Sequence, residues 1–169
     1  MEGAAGKETK QEEEARIRPA SVADGARLIQ VVNDAFAVES FIDGTRTDED
    51  RLAEMMRRGK FFVAENHAGL VVASVYTELR GDRGYFGMLA VDPSQQGKGF
   101  ASKMIRFVED YCRARGCRWM DITVLTLRPE LPPFYSRFGY AETRREDFHP
   151  SAPLKPGVEC RSIIMSKRL

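Results

Sequence analysis

The chain has 169 residues, with 26 Lys and Arg against 25 Asp and Glu and a net charge of +1, which is one domain's worth of sequence. Apolar residues make up 43% and charged residues 30%; this balance excludes disordered, collagen-like and membrane-spanning classes and suffices to bury a core without metal or disulfide staples. A near-zero charge removes any bulk electrostatic argument for a nucleic acid or an anionic membrane as partner, so a charged ligand must be held by local groups.

Residues 1–15 carry no aromatic and no large aliphatic side chain after Met1, too little to offset the entropy of ordering. A disordered tail is expected there, followed by one domain over residues 16–169. The tail lacks the apolar run of a signal peptide, and no stretch approaches the ~20 apolar residues of a membrane span. Cys112, Cys117 and Cys160 make an odd count without a metal-type pair, and two histidines are too few for a zinc set. Reduced thiols, no metal and a cytoplasmic location are the expectation.

From Arg16 the pattern alternates strands and helices. Ala15-Arg16-Ile17-Arg18 reads as a short strand closed by Pro19. Ser21-Val22-Ala23-Asp24 fits a capping box ahead of a helix with Leu28, Ile29, Val32 and Phe36 on one face. Thr47-Asp48-Glu49-Asp50 repeats the cap signal before a second helix, with Leu52, Met55 and Met56, that ends near Gly59. Residues 61–64, 70–79 and 85–91 read as strands joined by tight turns, an antiparallel meander. A long helix follows, its apolar residues Phe100, Ala101, Met104, Ile105, Val108, Tyr111 and Cys112 recurring at helical spacing until Gly116. Residues 119–124 form the next strand, and a right-handed crossover places it parallel to residues 85–91. A short helix over 132–138, stopped by Gly139, precedes a hairpin of residues 140–144 and 160–165. The expected fold class is α/β (α+β): a mixed, mostly antiparallel sheet of six to seven strands flanked by helices, with one parallel, splayed pair.

The stretch Leu89-Ala90-Val91-Asp92-Pro93-Ser94-Gln95-Gln96-Gly97-Lys98-Gly99-Phe100-Ala101-Ser102 is a strand feeding a glycine-bearing loop that opens a helix. Backbone N–H groups and the positive helix end can cradle a phosphate or pyrophosphate there; a plain helix-opening turn explains the glycines as well. A triphosphate loop fails because Phe100 follows Gly99 where Ser or Thr is needed, and a dinucleotide fingerprint fails at Ser102.

These residues resemble the GNAT superfamily of acyl-CoA-dependent N-acyltransferases: Gln96-Gly97-Lys98-Gly99-Phe100-Ala101 meets its Q/R-x-x-G-x-G/A signature. Phe134-Tyr135-Ser136-Arg137-Phe138-Gly139-Tyr140 is similar to the family's F-Y-x-x-x-G-F/Y segment. The resemblance implies acetyl-CoA as co-substrate. Amides of Gln96, Gly97, Lys98, Gly99, Phe100, Ala101 and Ser102 would surround its pyrophosphate, and main-chain groups of Leu89, Ala90 and Val91 would face the pantetheine arm. A bulge in Gly87-Met88-Leu89 would splay this strand from residues 119–124 and expose unpaired peptide groups, and the Val91 N–H could then stabilise an oxyanion. Lys98, Lys103 and Arg106 could reach CoA phosphates or simply form a solvated helix face. The resemblance places Tyr135 beside the sulfur as the acid for the departing thiolate.

The sequence also departs from the family's pattern. Tyr85 stands where many members carry a Glu base, so Glu78 is the first candidate base, with Asp121, Glu39 and His149 behind it; each also reads as a surface, cap or loop residue. Arg128 and Leu131 replace a common Asn and Ala near the CoA site. Residues 36–50 are expected to wall the acceptor side, where Glu39, Asp43, Asp48 and Glu49 would favour a cationic amine, though acids near a helix start also serve as caps. The proline-rich tract 149–157 reads either as a cover over substrate or, by a small margin, as an inert hairpin connection. Cys112 and Cys117 flank a helix end, away from the cleft, so a thiol-based ping-pong route is not expected. The reading is an N-acetyltransferase acting on a primary amine of a small molecule or peptide by direct attack in a ternary complex, with no nucleic-acid or membrane partner; a homodimer is compatible with it. The alternatives are a non-catalytic acyl-CoA-binding or sensing domain, and a nucleotide-binding or interaction module that shares only the loop.

Overall fold

A computed structural model of the chain describes residues 15–149 and 152–169. Residues 1–14, where the tail is expected, lie outside the described residues, and Ala15 packs against the core. Seven strands form one sheet: β1 (Arg16–Pro19), β2 (Lys60–Glu65), β3 (Val71–Arg80), β4 (Arg83–Val91), β5 (Trp119–Leu125), β6 (Ala141–Asp147) and β7 (Arg161–Arg168). Their order is β1-β2-β3-β4-β5-β7-β6. All neighbours are antiparallel except β4 and β5, the pair joined by a single crossover helix.

The helices are α1 (Gly25–Ala35), α2 (Glu49–Arg58), α3 (Phe100–Arg113) and α4 (Leu131–Ser136). One turn of 3-10 helix, Val22–Asp24, precedes α1. Here the Asp24 carboxylate accepts from the Ser21 amide at 2.7 Å and from both terminal nitrogens of Arg18 at 2.7 and 2.8 Å. The Arg18 hydrogen bonds hold the Asp24 carboxyl well below the usual range against the cost of its burial, and they pin the start of α1 to β1. At α2, Asp48 Oδ1 accepts the Arg51 amide at 2.9 Å, an N-cap of the ordinary kind.

Apolar residues divide by strand alternation between the two faces of the sheet. Leu28, Val31, Val32 and Leu52 of α1 and α2 pack with Phe61, Val63, Tyr76, Met88 and Ala90. On the other face Met104, Ile105, Val108 and Cys112 of α3 and Tyr135 of α4 pack with Phe62, Val75, Phe86, Met120 and Ile122. The sheet is therefore the middle of three layers. Where β4 meets β5 the fit is closest at Gly84: a Cβ added there would stand 2.7 Å from Cys112 Sγ and 3.1 Å from Met120 Sδ. Gly84→Ala is expected to cost about 1–3 kcal/mol through overpacking. Urea unfolding with an unchanged slope checks this, and an unshifted midpoint would refute the close fit.

Candidate active site

The site begins where the parallel pair stops. β4 and β5 are in register only at Arg83/Trp119, Gly84/Met120 and Tyr85/Asp121; beyond Tyr85 the strands part. The cause lies on the other edge of β4. Against β3, Ser74 faces Ala90 and Tyr76 faces Gly87, so β4 carries one extra residue over that step, a bulge containing Met88 at φ +49°. Bulges bend and overtwist their strand, and this one turns β4 away from β5. The Asp92 amide bonds to the Val72 carbonyl on β3 at 2.7 Å. Successive amides alternate along a strand, so the Val91 N–H points the other way, into the opening.

Tyr85 lies across the floor of this wedge. A Cβ at Gly87 would sit 2.8 Å from its hydroxyl, so the glycine makes room for the ring. Burial raises the Tyr85 pKa, with a hydrogen bond to Thr123 acting against it; the phenol stays neutral and cannot replace a carboxylate base.

Two cavities of about 450 and 430 Å³ open from the wedge and share Leu89, Arg128, Leu131 and Tyr135. The smaller is lined by Val91, Gln96, Gly97, Gly99, Phe100, Ala101 and Ser102. Gly97 and Gly99 have φ of +80° and +85°, with open space where a Cβ would be. The first intrahelical bond of α3 runs from the Lys103 amide to the Gly99 carbonyl at 3.2 Å, so the amides of Phe100, Ala101 and Ser102 have no acceptor within the helix. Arg27 binds Asp92 at 2.7 Å and the Val71 carbonyl at 2.9 Å, fixing the base of this loop. Lys98 Nζ folds onto Gln95 Oε1 at 3.0 Å, and Arg106 is exposed.

The larger cavity is ionic. Glu39, 6% exposed, accepts from Arg128 Nη1 at 2.8 Å through Oε1, while its Oε2 faces Arg46 Nε at 3.8 Å. On the other wall Glu78 accepts from the Tyr76 hydroxyl at 2.6 Å and from Arg80 Nε at 2.7 Å. Burial pushes the Glu78 pKa up, but these two donors and the charge of Arg80 prevail and leave it lowered. Tyr135, 8% exposed, sits where the cavities meet; burial drives its pKa upward and the nearby Arg128 only partly offsets this.

Of the sequence candidates, the structure brings Glu39, Glu78, His149, Leu89, Arg128, Leu131 and Tyr135 to the larger cavity. It leaves Asp121 outside: both carboxylate oxygens are taken, by Arg83 at 2.6 Å and by Ser166 at 2.5 Å. Among the acids expected to attract a cationic amine, only Glu39 lines the cavity; Asp48 caps α2, and Asp43 and Glu49 are exposed. Residues 152–155 are not an inert connection. Ile42 bridges to Leu154, Asp43 N bonds to Pro153 O at 2.7 Å, and Lys155 N to Phe41 O at 2.9 Å, so this tract is tied to the segment that walls the cavity; Pro150 and Ser151 lie outside the described residues. Cys112 is buried against Thr77, 3.6 Å away, and burial pushes its thiol up to about 11.

Sequence reading missed Arg46, Arg58, Tyr76 and Arg80 as lining residues. Tyr76, Glu78 and Arg80 stand at i, i+2 and i+4 of β3, one face of a strand, and that spacing was a usable signal. Arg46 is in a loop and gave none.

The sheet order, the splayed parallel pair and the glycine loop ahead of α3 are those of the fold expected from the sequence motifs. Residues 27–140 match the family model described as the Acetyltransferase (GNAT) family, and the chain belongs to that family. A curated relative named Acetyltransferase, from Yersinia pestis (strain Pestoides F), is 35% identical over 80 residues, which are 47% of this chain and 56% of the relative; the match thus spans little more than half the length of such relatives. The solved structure of smu.2055 from Streptococcus mutans UA159 superposes with a TM-score of 0.75 at 16% identity, covering 90% of this chain and 98% of that one. The yncA protein of Salmonella typhimurium, solved with its cofactor acetyl-CoA, gives 0.70 at 22% identity over 92% and 94%. At such identities the likeness is one of fold.

The Arg83–Asp121–Ser166 contacts yield a prediction for stability. Burial of Asp121 raises its pKa, but the hydrogen bonds from Arg83 and Ser166 outweigh it and the net shift is downward. A depressed folded-state pKa stabilises above the unfolded value, near 3.9, and the contribution fades as pH falls through the folded one. Asp121→Asn is expected to lower stability by about 1–3 kcal/mol at pH 7, with the gap to the parent chain closing below about pH 4. Chemical unfolding at pH 7 and pH 3 reads both; a gap that is constant over this range would refute the assignment.

Proposed function

We propose that the domain, residues 16–169, is a cytoplasmic acetyl-CoA-dependent N-acetyltransferase that acetylates a primary amine of a small molecule or peptide by direct attack in a ternary complex. The observation that carries this reading is the meeting of two cavities at Leu89, Arg128, Leu131 and Tyr135, one reaching the glycine loop and the other the ionisable pocket. Among the described residues no helix is long and apolar enough to cross a membrane.

The residues present fit the donor. The open loop from Gln96 to Ser102 offers amides and a helix N-terminus to a diphosphate, with Lys98, Lys103 and Arg106 near at hand in sequence. The edge of β4 at Leu89, Ala90 and Val91 offers main-chain groups to a pantetheine arm. Acetyl-CoA supplies an acetyl group activated as a thioester. In this reading the Val91 N–H donates to the carbonyl oxygen as negative charge develops there. Tyr135 is kept protonated by its burial, the state an acid needs, and delivers its proton to the departing sulfur.

A lysine-like ammonium, pKa about 10.4, is neutral only about once in 2,500 molecules at pH 7, so the amine proton needs a receiver. Glu78 lines the cavity, but both its oxygens are engaged by Tyr76 and Arg80, which leaves it to act through water. Glu39 lines the cavity too, but its Oε1 is held by Arg128 and its buried Oε2 lies 3.8 Å from Arg46 Nε, so it also acts only through water. A second reading, an acyl-CoA-binding domain without turnover, is favoured by Tyr85, a neutral phenol in the place where a base is common.

Acetyl-CoA consumption over a panel of amines, polyamines, amino acids and peptides separates the two. Tyr135→Phe is expected to lower kcat by roughly tenfold or more with acetyl-CoA affinity within about threefold; unchanged turnover would remove Tyr135 as the acid. Gly99→Asp places a carboxylate in the anion cradle and strains a left-handed residue. Its CoA affinity, read by calorimetry, is expected to fall roughly tenfold or more, and equal affinity would sink the loop assignment.

A further inference from the structure

Among the residues lining the smaller cavity Arg128 is the one with a charge, and it lines the larger cavity as well. Two acids hold its guanidinium: Nη1 donates to Glu39 Oε1 at 2.8 Å and Nε to Glu130 Oε1 at 2.6 Å. The Leu131 amide bonds to the Arg128 carbonyl at 3.0 Å, which ties its backbone to the first turn of α4. A guanidinium has five N–H donors. Nη2 is left without a protein acceptor among the described residues, and it is not sealed from solvent as the unpartnered Arg46 Nε is.

Tyr135 stands one helical turn beyond Leu131 and shares both cavities with Arg128. Its other neighbours bring no net charge. The ring packs on Phe86 of β4, Phe134 of α4 and Tyr140 ahead of β6, with centroids 6.0, 5.0 and 6.1 Å away. Behind Tyr140, Glu109 of α3 accepts from the Tyr140 hydroxyl at 2.8 Å and is paired with Lys167 of β7 at 2.9 Å. Of the acids in the larger cavity, Glu39 lies between Arg128 and Arg46, and Glu78 is held by Tyr76 and Arg80. Burial raises the Tyr135 pKa and the charge of Arg128 opposes it; Tyr85, the other group that acts on it, is a neutral phenol.

This pairing answers a difficulty in the transfer step. A thiol with a pKa near 8.5, the ordinary cysteine value, is a stronger acid than a phenol near 10, and burial of the phenol widens the gap. A proton passing from Tyr135 to a departing sulfur therefore runs uphill and leaves a phenolate in a low-dielectric site, where an unpaired charge is costly. A fixed cation nearby offsets that cost: an opposite charge within ~4–6 Å lowers the pKa of an acid by about 1–3 units.

We infer that Arg128 is a positioning residue that acts through Tyr135, its guanidinium stabilising the negative charge left on the phenol oxygen while the proton is on the sulfur. This rests on the acetyltransferase reading. Tyr135 gives up its phenolic proton as the carbon–sulfur bond breaks with its electron pair on sulfur. It regains a proton from the acceptor nitrogen, which has bonded to the acetyl carbon as a neutral amine. Phenol, amide and thiol are the products, and the charge of Arg128 is unchanged throughout.

The test is a double-mutant cycle on kcat, with the intact chain, acetyl-CoA and the best amine of the panel. Arg128→Gln is expected to lower kcat roughly tenfold, with KM for acetyl-CoA within about threefold of the parent, while Arg128→Lys, which keeps the charge, retains at least about a third of kcat. In the Tyr135→Phe background the same Arg128→Gln change should cost less than about twofold, because the group it acts through is gone. Arg128→Gln alone leaves a buried carboxylate short of a partner, so the cycle is repeated on a Glu39→Gln parent, where the same ratios are expected. A loss of equal size with and without Tyr135→Phe overturns the inference and leaves the acetyltransferase reading standing. So does a raised KM for acetyl-CoA at unchanged kcat, full activity of Arg128→Gln, or an Arg128→Lys loss as deep as that of Arg128→Gln. No turnover of any amine by the parent chain overturns the acetyltransferase reading, and this role with it.

Discussion

Parallel strands that part after three residue pairs leave peptide groups without partners, and a buried hydrogen bond left unmade costs about 1–3 kcal/mol. Such an opening lasts only where neighbouring structure enforces it. In this chain two features of β4 do so. The bulge at Met88, a residue held at φ +49°, belongs to the sparsely populated backbone that rigid surroundings must impose. The Tyr85 ring, admitted because Gly87 has no side chain, fills the space below the point of separation. The N–H of Val91, the shared boundary of the two cavities and the position of Tyr135 all follow from that parting.

The second constraint is the burial of charge above the wedge. Glu39 precedes Arg128 by 89 residues and bonds to it at 2.8 Å with little exposure of either side chain, and Arg46 is drawn in beside them. Burial lowers the Arg46 pKa, and Glu39 opposes that shift. Removing one member of such a group strands a charge in low dielectric, so the three hold each other in place. Backbone bonds from Phe41 and Asp43 to Lys155 and Pro153 tie the same wall to the connection between β6 and β7. This wall of the larger cavity is thus assembled from three segments far apart in sequence.

This difference decides what could be read from the sequence. Helix and strand positions were legible because periodicity and caps are local: the Asp48 cap, the apolar stripe of α3 and the meander lie within a few residues of their expected places. The parallel pair followed from the strand–helix–strand order with short connections. The bulge was legible because glycine and an apolar run beside a loop mark it. Element ends were less so. β7 runs to Arg168 and β6 to Asp147, several residues beyond the expected hairpin, since cross-strand pairing carries charged edge residues that have no strand signal of their own. The roles of Glu39, Arg46 and Asp121 were hidden for a related reason: whether a carboxylate faces a cavity or an arginine depends on partners tens of residues away.

Main-chain chemistry on one side of the wedge and side-chain chemistry on the other also account for the pattern of likeness. The donor cradle needs two glycines, a helix start and the edge of a bulged strand, none of which fixes the remaining residues. Chains at 16 to 22% identity can therefore share the fold over nine-tenths of their length. The acceptor cavity has no such backbone template. It is lined by side chains such as Glu39, Arg46, Arg80, Tyr85 and Arg128, which no local backbone pattern fixes, so a motif that marks the glycine loop carries no information about what this cavity takes. A substrate can be argued only from the cavity of the particular chain.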